Sequence, residues 1–100
     1  MKNKVLFTLP EIKLISWIFK AYKPKAKNDL INKEFSQYLS IQEKLKDITN
    51  NKIKWEEFKL LLKMLNKFKI DLECVLPKKE FKFLLSIIDK FKSLDLENGA

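Results

Sequence analysis

The sequence contains no histidine and no arginine, and its only glycine is Gly99. Histidine is the commonest general base and metal ligand near neutral pH, so its absence removes the most usual catalytic and metal-binding chemistries. A chain with no glycine before residue 99 cannot form a glycine-rich phosphate loop. Without arginine, bidentate recognition of bases is also not expected. We therefore predict that the protein is not an enzyme and has no catalytic, cofactor-binding or metal-binding residues.

Cysteine is nearly absent as well, because Cys74 is alone and cannot form an internal disulfide. It lies among Leu72, Val75 and Leu76, where we expect a buried, unreactive thiol. The apolar run at residues 5–7 ends before Pro10 and is too short for a signal peptide. No apolar run in the sequence approaches the length of a membrane span, which needs about 18 consecutive apolar residues. We expect a cytoplasmic protein without a transmembrane segment.

The sequence does contain a repeat. "EFKLLLKMLNKFK" at 57–69 is nearly repeated by "EFKFLLSIIDKFK" at 80–92, and a glutamate recurs every 23 residues at Glu11, Glu34, Glu57 and Glu80. Apolar residues follow each glutamate after one, four or five, and eleven positions, a spacing that marks one face of an α-helix. These residues are Ile12, Ile15, Tyr22; Phe35, Leu39, Leu45; Phe58, Leu61, Phe68; and Phe81, Leu84, Phe91.

Four evenly spaced amphipathic segments with short connections predict an all-α, up-down-up-down four-helix bundle in a single domain, residues 1–100. A longer alignment, of 46 residues, matches 33–35 with 79–81 and 39–41 with 85–87, and it suggests that two αα-hairpins arose by duplication. The alternative is a coincidence between amphipathic helices rich in lysine and leucine. The predicted elements are an N-terminal segment 1–8, helices 9–23, 28–48, 52–70 and 77–94, and a frayed tail 95–100.

Several residues have the side chains expected at helix ends. Thr8 and Glu11 form a capping-box pattern at the start of the first helix. Pro24 should end that helix, because proline does not continue a helix without strain. Asn28 or Asp29 should cap the second helix, and Pro77 fits the first turn of the fourth.

The repeat glutamates raise the question of a metal site. Glutamates that point into a bundle core can bind metal ions, but such sites also use histidine, and each glutamate here falls in or near a first helical turn. The stretch 46–57 places Glu57 at the last position of a calcium-binding EF-hand loop. Lys46 and Ile48 would then be the first and third ligands, and neither side chain can bind calcium. We predict helix capping and no calcium.

All 21 basic residues are lysine, and the net charge is +8. In the predicted bundle the first and third connections meet at one pole, where clustered lysines could contact phosphate or an acidic protein surface. The alternative is a solvated lysine-rich end. The predicted contact residues are Lys23, Lys25, Lys27, Lys67, Lys69, Lys78 and Lys79.

Trp17 occupies a repeat position where the other helices have serine or lysine, so we expect it to face water. The alternative is that residues 5–7 fold back and cover it. The apolar stripe is also wider than a bundle helix needs, because it includes the third and seventh positions after the glutamate. The predicted partner-binding residues are Lys13, Trp17, Lys20, Leu60, Met64, Phe83 and Ile87.

These observations favour a small, basic, non-enzymatic helical binding protein, such as an adaptor, inhibitor or assembly subunit. Its expected partner is a protein, a protein–nucleic-acid complex or a second copy of the chain. The alternative is a sequence-independent RNA- or DNA-binding subunit of a ribonucleoprotein. An amphipathic protein that rests on a membrane surface is a third and weaker interpretation.

Overall fold

The computed structural model describes residues 7–46 and 53–99. All regular structure in these ranges is helical, without a strand, which confirms the all-α prediction. The helices are α1 (Leu9–Ala21), α2 (Lys23–Asp29), α3 (Asn32–Lys46), α4 (Trp55–Val75) and α5 (Lys78–Gly99). The described residues form five helices where four were predicted. Residues 1–6, 47–52 and 100, which include predicted helix ends at 48 and 52, lie outside the described residues.

The contacts divide the chain into two compact units. The first runs from Phe7 to Leu61 and contains α1, α2, α3 and the beginning of α4; the second contains the chain from Leu62 onward. Within the first unit, α1, α2 and α3 all lie against one another. The single domain and the up-down order of a bundle stay predictions.

The start of α1 has the predicted capping box. The backbone amide of Thr8 donates to Glu11 Oε1 at 2.8 Å, and the amide of Glu11 donates to Thr8 Oγ1 at 3.4 Å. Pro10 lies in the first turn, where its missing amide proton leaves no helical hydrogen bond unmade. Two amides that the helix cannot satisfy internally are therefore paired.

The fifth helix is α2, which occupies the lysine-rich stretch predicted as a connection. Helix α1 does end before Pro24, at Ala21, but the backbone is helical again from Lys23. Pro24 lies in the first turn of α2, where proline is tolerated. The expected break is therefore a single residue, Tyr22, with φ −101° and ψ 11°.

The start of α3 also differs from the prediction. Asn28 and Asp29 were expected to cap this helix, but they form the end of α2. Leu30 is extended, with φ −102° and ψ 145°, and α3 begins at Asn32. A second short helix therefore replaces the predicted loop and cap.

The two longest helices, α4 and α5, meet at a proline. Val75 ends α4 two residues before Pro77, because the residue that precedes a proline avoids helical geometry. The amide of Phe81 donates to the carbonyl of Pro77 at 2.9 Å and closes the first turn of α5. Helix α5 continues to Gly99, beyond the predicted end at residue 94. Across the described chain, no helix has both the length and the hydropathy to cross a bilayer.

The repeat glutamates lie at the starts of four of the helices. Glu11, Glu34, Glu57 and Glu80 are each the third residue of a helix, namely α1, α3, α4 and α5. A carboxylate at this position accepts from free first-turn amides and is favoured by the helix dipole. Helix α2 has Lys25 at its third position, so the extra helix lies outside the repeat.

The repeat also fixes the core. The fourth and seventh residues after each glutamate have no solvent exposure in any of the four helices. Helical positions three apart share a face, which explains why these two positions are buried together. The apolar spacing predicts Leu39 on the buried face of α3, but the fully buried residue is its neighbour Tyr38, while Leu39 is half-buried. The fully buried residues are Ile15, Ile18, Tyr38, Ile41, Leu61, Met64, Leu84 and Ile87.

Candidate functional site

One tryptophan and four lysines are exposed along α1 and α2. Trp17 follows Lys13 by four residues and precedes Lys20 by three, so the three side chains share one side of α1. Lys23 and Lys27 are four residues apart and exposed on α2, which begins two residues after α1 ends. We call Lys13, Trp17, Lys20, Lys23 and Lys27 the basic face.

Trp17 is the large apolar group of the basic face. It is 46% exposed, although Ile18 and Phe19, the next two residues, are fully buried. Successive helical residues point about 100° apart, so a single turn can bury Ile18 and Phe19 and leave Trp17 in water. The prediction that Trp17 faces water is confirmed. An exposed indole offers both apolar area and an N–H donor to another molecule.

The basic face has charge of one sign. Residues 12–28 contain five lysines and no aspartate or glutamate. Of the acidic residues that flank this stretch, Glu11 is buried in the α1 cap and Asp29 is exposed at the end of α2. Lys25, which was predicted to contact phosphate, is half-buried and does not belong to the face. The surface around Trp17 should therefore attract anionic groups.

The remaining predicted lysines lie in the second unit. Lys67, Lys78 and Lys79 are exposed, and Lys69 is half-buried. Their gathering with the α1 and α2 lysines at one pole stays a prediction.

The widened apolar stripe is not an exposed surface. Met64 and Ile87 have no exposure and Leu60 has 5%, so the expectation that these residues face outward is wrong. Phe83 is half-buried. The seventh position after the glutamate was predicted to be surplus to the core, but it is buried in every repeat. The predicted partner-binding residues that remain exposed are Lys13, Trp17 and Lys20.

A buried carboxylate joins α3 to the start of α4. Glu57 Oε1 accepts from Lys44 Nζ at 2.6 Å and from the backbone amide of Lys54 at 2.9 Å. Its Oε2 accepts from Ser40 Oγ at 2.7 Å. The bond to Lys54 is the capping contact that the sequence predicts, whereas the contacts with α3 were missed. A possible signal was the four-residue spacing of Ser40 and Lys44, which places both on one side of α3.

The groups around Glu57 keep its carboxyl group ionised. Burial alone would raise the pKa of this carboxyl group, but hydrogen bonds from Lys44, the Lys54 amide and Ser40, together with the Lys44 charge, lower the pKa below its usual value. The carboxylate is thus ionised at neutral pH and engaged by three donors. Such a group suits a structural tie between helices better than an acid or base that must exchange protons with a substrate.

Tyr38 makes a second polar contact between helices. Its hydroxyl donates to the carbonyl oxygen of Phe19, in the last turn of α1, at 2.5 Å. Its ring stacks on Phe19 with centroids 4.4 Å apart. Burial raises the pKa of the Tyr38 hydroxyl, which stays protonated and able to donate. This contact positions the last turn of α1, which carries Lys20.

Cys74 is exposed near the end of α4, and the prediction of a buried thiol is therefore wrong. Leu72 is fully buried two residues earlier, and the helical rotation of about 200° between the two places Cys74 on the opposite side.

The described residues contain no group of three or more histidine, cysteine, aspartate or glutamate side chains arranged to hold a metal ion. Among the described residues, the large apolar side chains that are exposed are Leu9, Trp17, Ile31, Ile70, Val75 and Leu96. No protein-family model, curated protein or solved structure matches the chain.

Proposed function

We propose that this chain is a non-enzymatic helical binding protein whose basic face docks on an acidic surface of a protein partner. The observation that carries the proposal is Trp17, 46% exposed on a helix side whose other exposed residues include Lys13 and Lys20. Tryptophan is enriched among the residues that contribute most to protein–protein affinity. The flanking lysines would steer an anionic partner toward it.

The chemistry of the face favours a protein over a nucleic acid. Its cations are all lysines, which act as point charges and lack the planar fork with which arginine pairs with phosphates and bases. It also offers a single exposed aromatic ring, whereas single-stranded nucleic acids are bound by several rings on which successive bases stack. A buried interface centred on one indole and rimmed by charges is typical of protein docking.

The helices that support the face suit such a role. Ile15, Ile18 and Phe19 bury the opposite side of α1, and the Tyr38 hydroxyl bonds to the last turn of this helix. Docking on a surface that is already ordered avoids part of the entropy cost of association. The basic face would therefore bind without a folding step.

The test is capture of partners from the native host with the full chain as bait. The wild-type bait is compared with a double variant that combines Trp17→Ala with Lys20→Glu. The charge-matched control is Lys82→Glu, which replaces an exposed lysine on α5. Each lysate is divided, and one half is treated with nucleases. We expect one set of proteins, identified by mass spectrometry, to be retained by the wild type and the control and lost by the double variant in both halves.

Binding of a recovered protein is then measured with purified components. Loss of a central tryptophan should weaken the affinity about 30-fold. Equal recovery by the wild type and the double variant would show that the basic face is not the contact surface. Recovery that disappears after nuclease treatment would replace the protein partner with RNA or DNA.

A further inference from the structure

Helix α1 has an apolar row beside the lysines of the basic face. Pro10, Trp17 and Ala21 are exposed, and Leu14 is half-buried. Their spacings are four, three and four residues, so the four side chains lie in one line along the helix. We call Pro10, Leu14, Trp17 and Ala21 the α1 seam. With a rise of about 1.5 Å per residue, the seam is about 16 Å long.

The spacing of the α1 seam is that of a helix that pairs with another helix. In the seven-residue repeat of paired helices, written a to g, apolar residues at a and d form the line of contact. Leu14 and Ala21 take position a, and Pro10 and Trp17 take position d. Side chains in such a row fit between the side chains of a second helix.

Only one edge of the α1 seam is charged. Lys13 and Lys20 each take position g and line this edge. On the opposite edge, Glu11 and Ile18 take position e, and both are buried within the first unit. A molecule that covers the seam therefore meets apolar side chains in the centre and positive charge on one side.

We propose that the partner segment that docks on the basic face is an amphipathic acidic helix that lies along the α1 seam. This inference rests on the proposed function and names the chemistry of the partner. The apolar stripe of the partner helix covers Trp17 and Ala21. Carboxylates seven residues apart on its edge pair with Lys13 and Lys20, which are separated by about 10.5 Å along the axis. A helix of about three turns spans the seam.

A second copy of α1 does not supply this helix. An antiparallel pair brings two g positions together and sets lysine against lysine. A parallel pair sets each g position against an e position, where Glu11 and Ile18 are buried. Residues 12–28 contain no aspartate or glutamate. The complementary charge therefore comes from a different protein.

A synthetic helix tests the chemistry of the partner on the full chain. The probe is a fluorescently labelled peptide of about three heptads, held helical by a hydrocarbon staple, with leucine at a and d and glutamate at e and g. The control peptide has the same composition, but its glutamates occupy the outer positions b and c, and glutamines take e and g. In anisotropy titrations the probe should bind about tenfold more tightly than the control.

Two variants of the chain locate the contact. Ala21→Glu adds a carboxylate to the α1 seam, whereas Ser16→Glu adds it at position c, on the far side of the lysines from the seam. Each variant changes the net charge from +8 to +7. Ala21→Glu should weaken binding of the probe about tenfold, and Ser16→Glu should weaken it less. A contact centred on the lysines would give the reverse order, because Ser16 lies within about one turn of both Lys13 and Lys20.

The results separate this inference from the proposed function. Failure of the probe to bind, equal binding of the two peptides, or a larger loss for Ser16→Glu would overturn the helical partner. The basic face itself stands or falls with the capture experiment, which changes Trp17 and Lys20 and uses no peptide. Tighter binding to vesicles of phosphatidylserine and phosphatidylcholine than to the probe would assign the seam to an anionic membrane surface and would also overturn the proposal.

Discussion

The basic face differs in the sign of its charges from the exposed side of α4 around Ile70, which we call the α4 face. On the basic face, Lys13 and Lys20 flank Trp17, and residues 12–28 contain no acidic residue. On the α4 face, the exposed residues beside Ile70 include both Lys67 and Glu73. A surface of one sign repels its own copy and attracts an anionic partner, whereas a surface that carries both signs has no such selectivity. The basic face is therefore the surface that selects an anionic partner.

The helices behind the two faces are also stabilised differently. In the first unit, Glu57 is hydrogen bonded to Ser40 and Lys44, and Tyr38 is hydrogen bonded to Phe19. Behind the α4 face, the helix buries apolar side chains, namely Leu65, Phe68 and Leu72. Hydrogen bonds between helices specify geometry and respond to pH, whereas apolar burial does neither directly. Substitutions at the polar contacts should therefore lower the stability of the first unit, which carries the basic face.

The largest effect is expected for Glu57→Ala. This change leaves Lys44, Ser40 and the Lys54 amide without their acceptor, and the free energy of unfolding should fall by about 3 kcal/mol in urea denaturation. Glu80→Ala is the matched control, because Glu80 is also the third residue of its helix but is exposed. Glu80→Ala should lower the free energy of unfolding by about 0.5 kcal/mol, the size of a helix-dipole contact. Equal losses for the two variants would show that Glu57 acts only as a cap.

The pH dependence follows from the same contact. Because the folded-state pKa of Glu57 is lowered, the unfolded chain binds its proton first as the pH falls. The stability from this group is complete above the unfolded pKa of about 4.3 and is lost as the pH falls through the lower, folded value. In urea denaturation between about pH 6 and pH 2, the difference in unfolding free energy between wild type and Glu57→Gln should shrink toward acid. A difference that grows toward acid would have the wrong sign.

A smaller effect is expected for Tyr38→Phe. The ring and its stacking on Phe19 are kept, but the carbonyl of Phe19 loses its donor in a buried position. The free energy of unfolding should fall by about 1 to 2 kcal/mol, measured by thermal or urea denaturation. The last turn of α1 should also exchange its amide protons faster. Unchanged stability and exchange would mean that the hydroxyl does not hold α1 in place.

Much of the fold could be predicted because the repeat glutamates are local signals. A glutamate that accepts from the first turn and apolar residues one, four or five, and eleven positions later act within one helix, so these four predicted helices correspond to α1, α3, α4 and α5. Helix α2 was missed because Pro24 was taken as a stop, although proline in a first turn also permits a new helix to begin. Local spacing cannot choose between these two outcomes.

The candidate surfaces were predicted less well than the helices. Trp17 was found because its type differs from the serine and lysine at the same position in other repeats. Met64 and Ile87 were misjudged because the width of an apolar stripe does not reveal how many neighbours cover it. The contacts of Glu57 with Ser40 and Lys44 depend on helix packing, which residue spacing alone does not determine.

The most direct test measures partner capture by two variants that make the same change of charge. Trp17→Ala with Lys20→Glu should lose capture of the protein partner, whereas Lys82→Glu should retain it. Both variants should unfold with the free energy of the wild type in urea denaturation. Equal capture by the wild type and the double variant would contradict the assignment of the basic face as the docking surface.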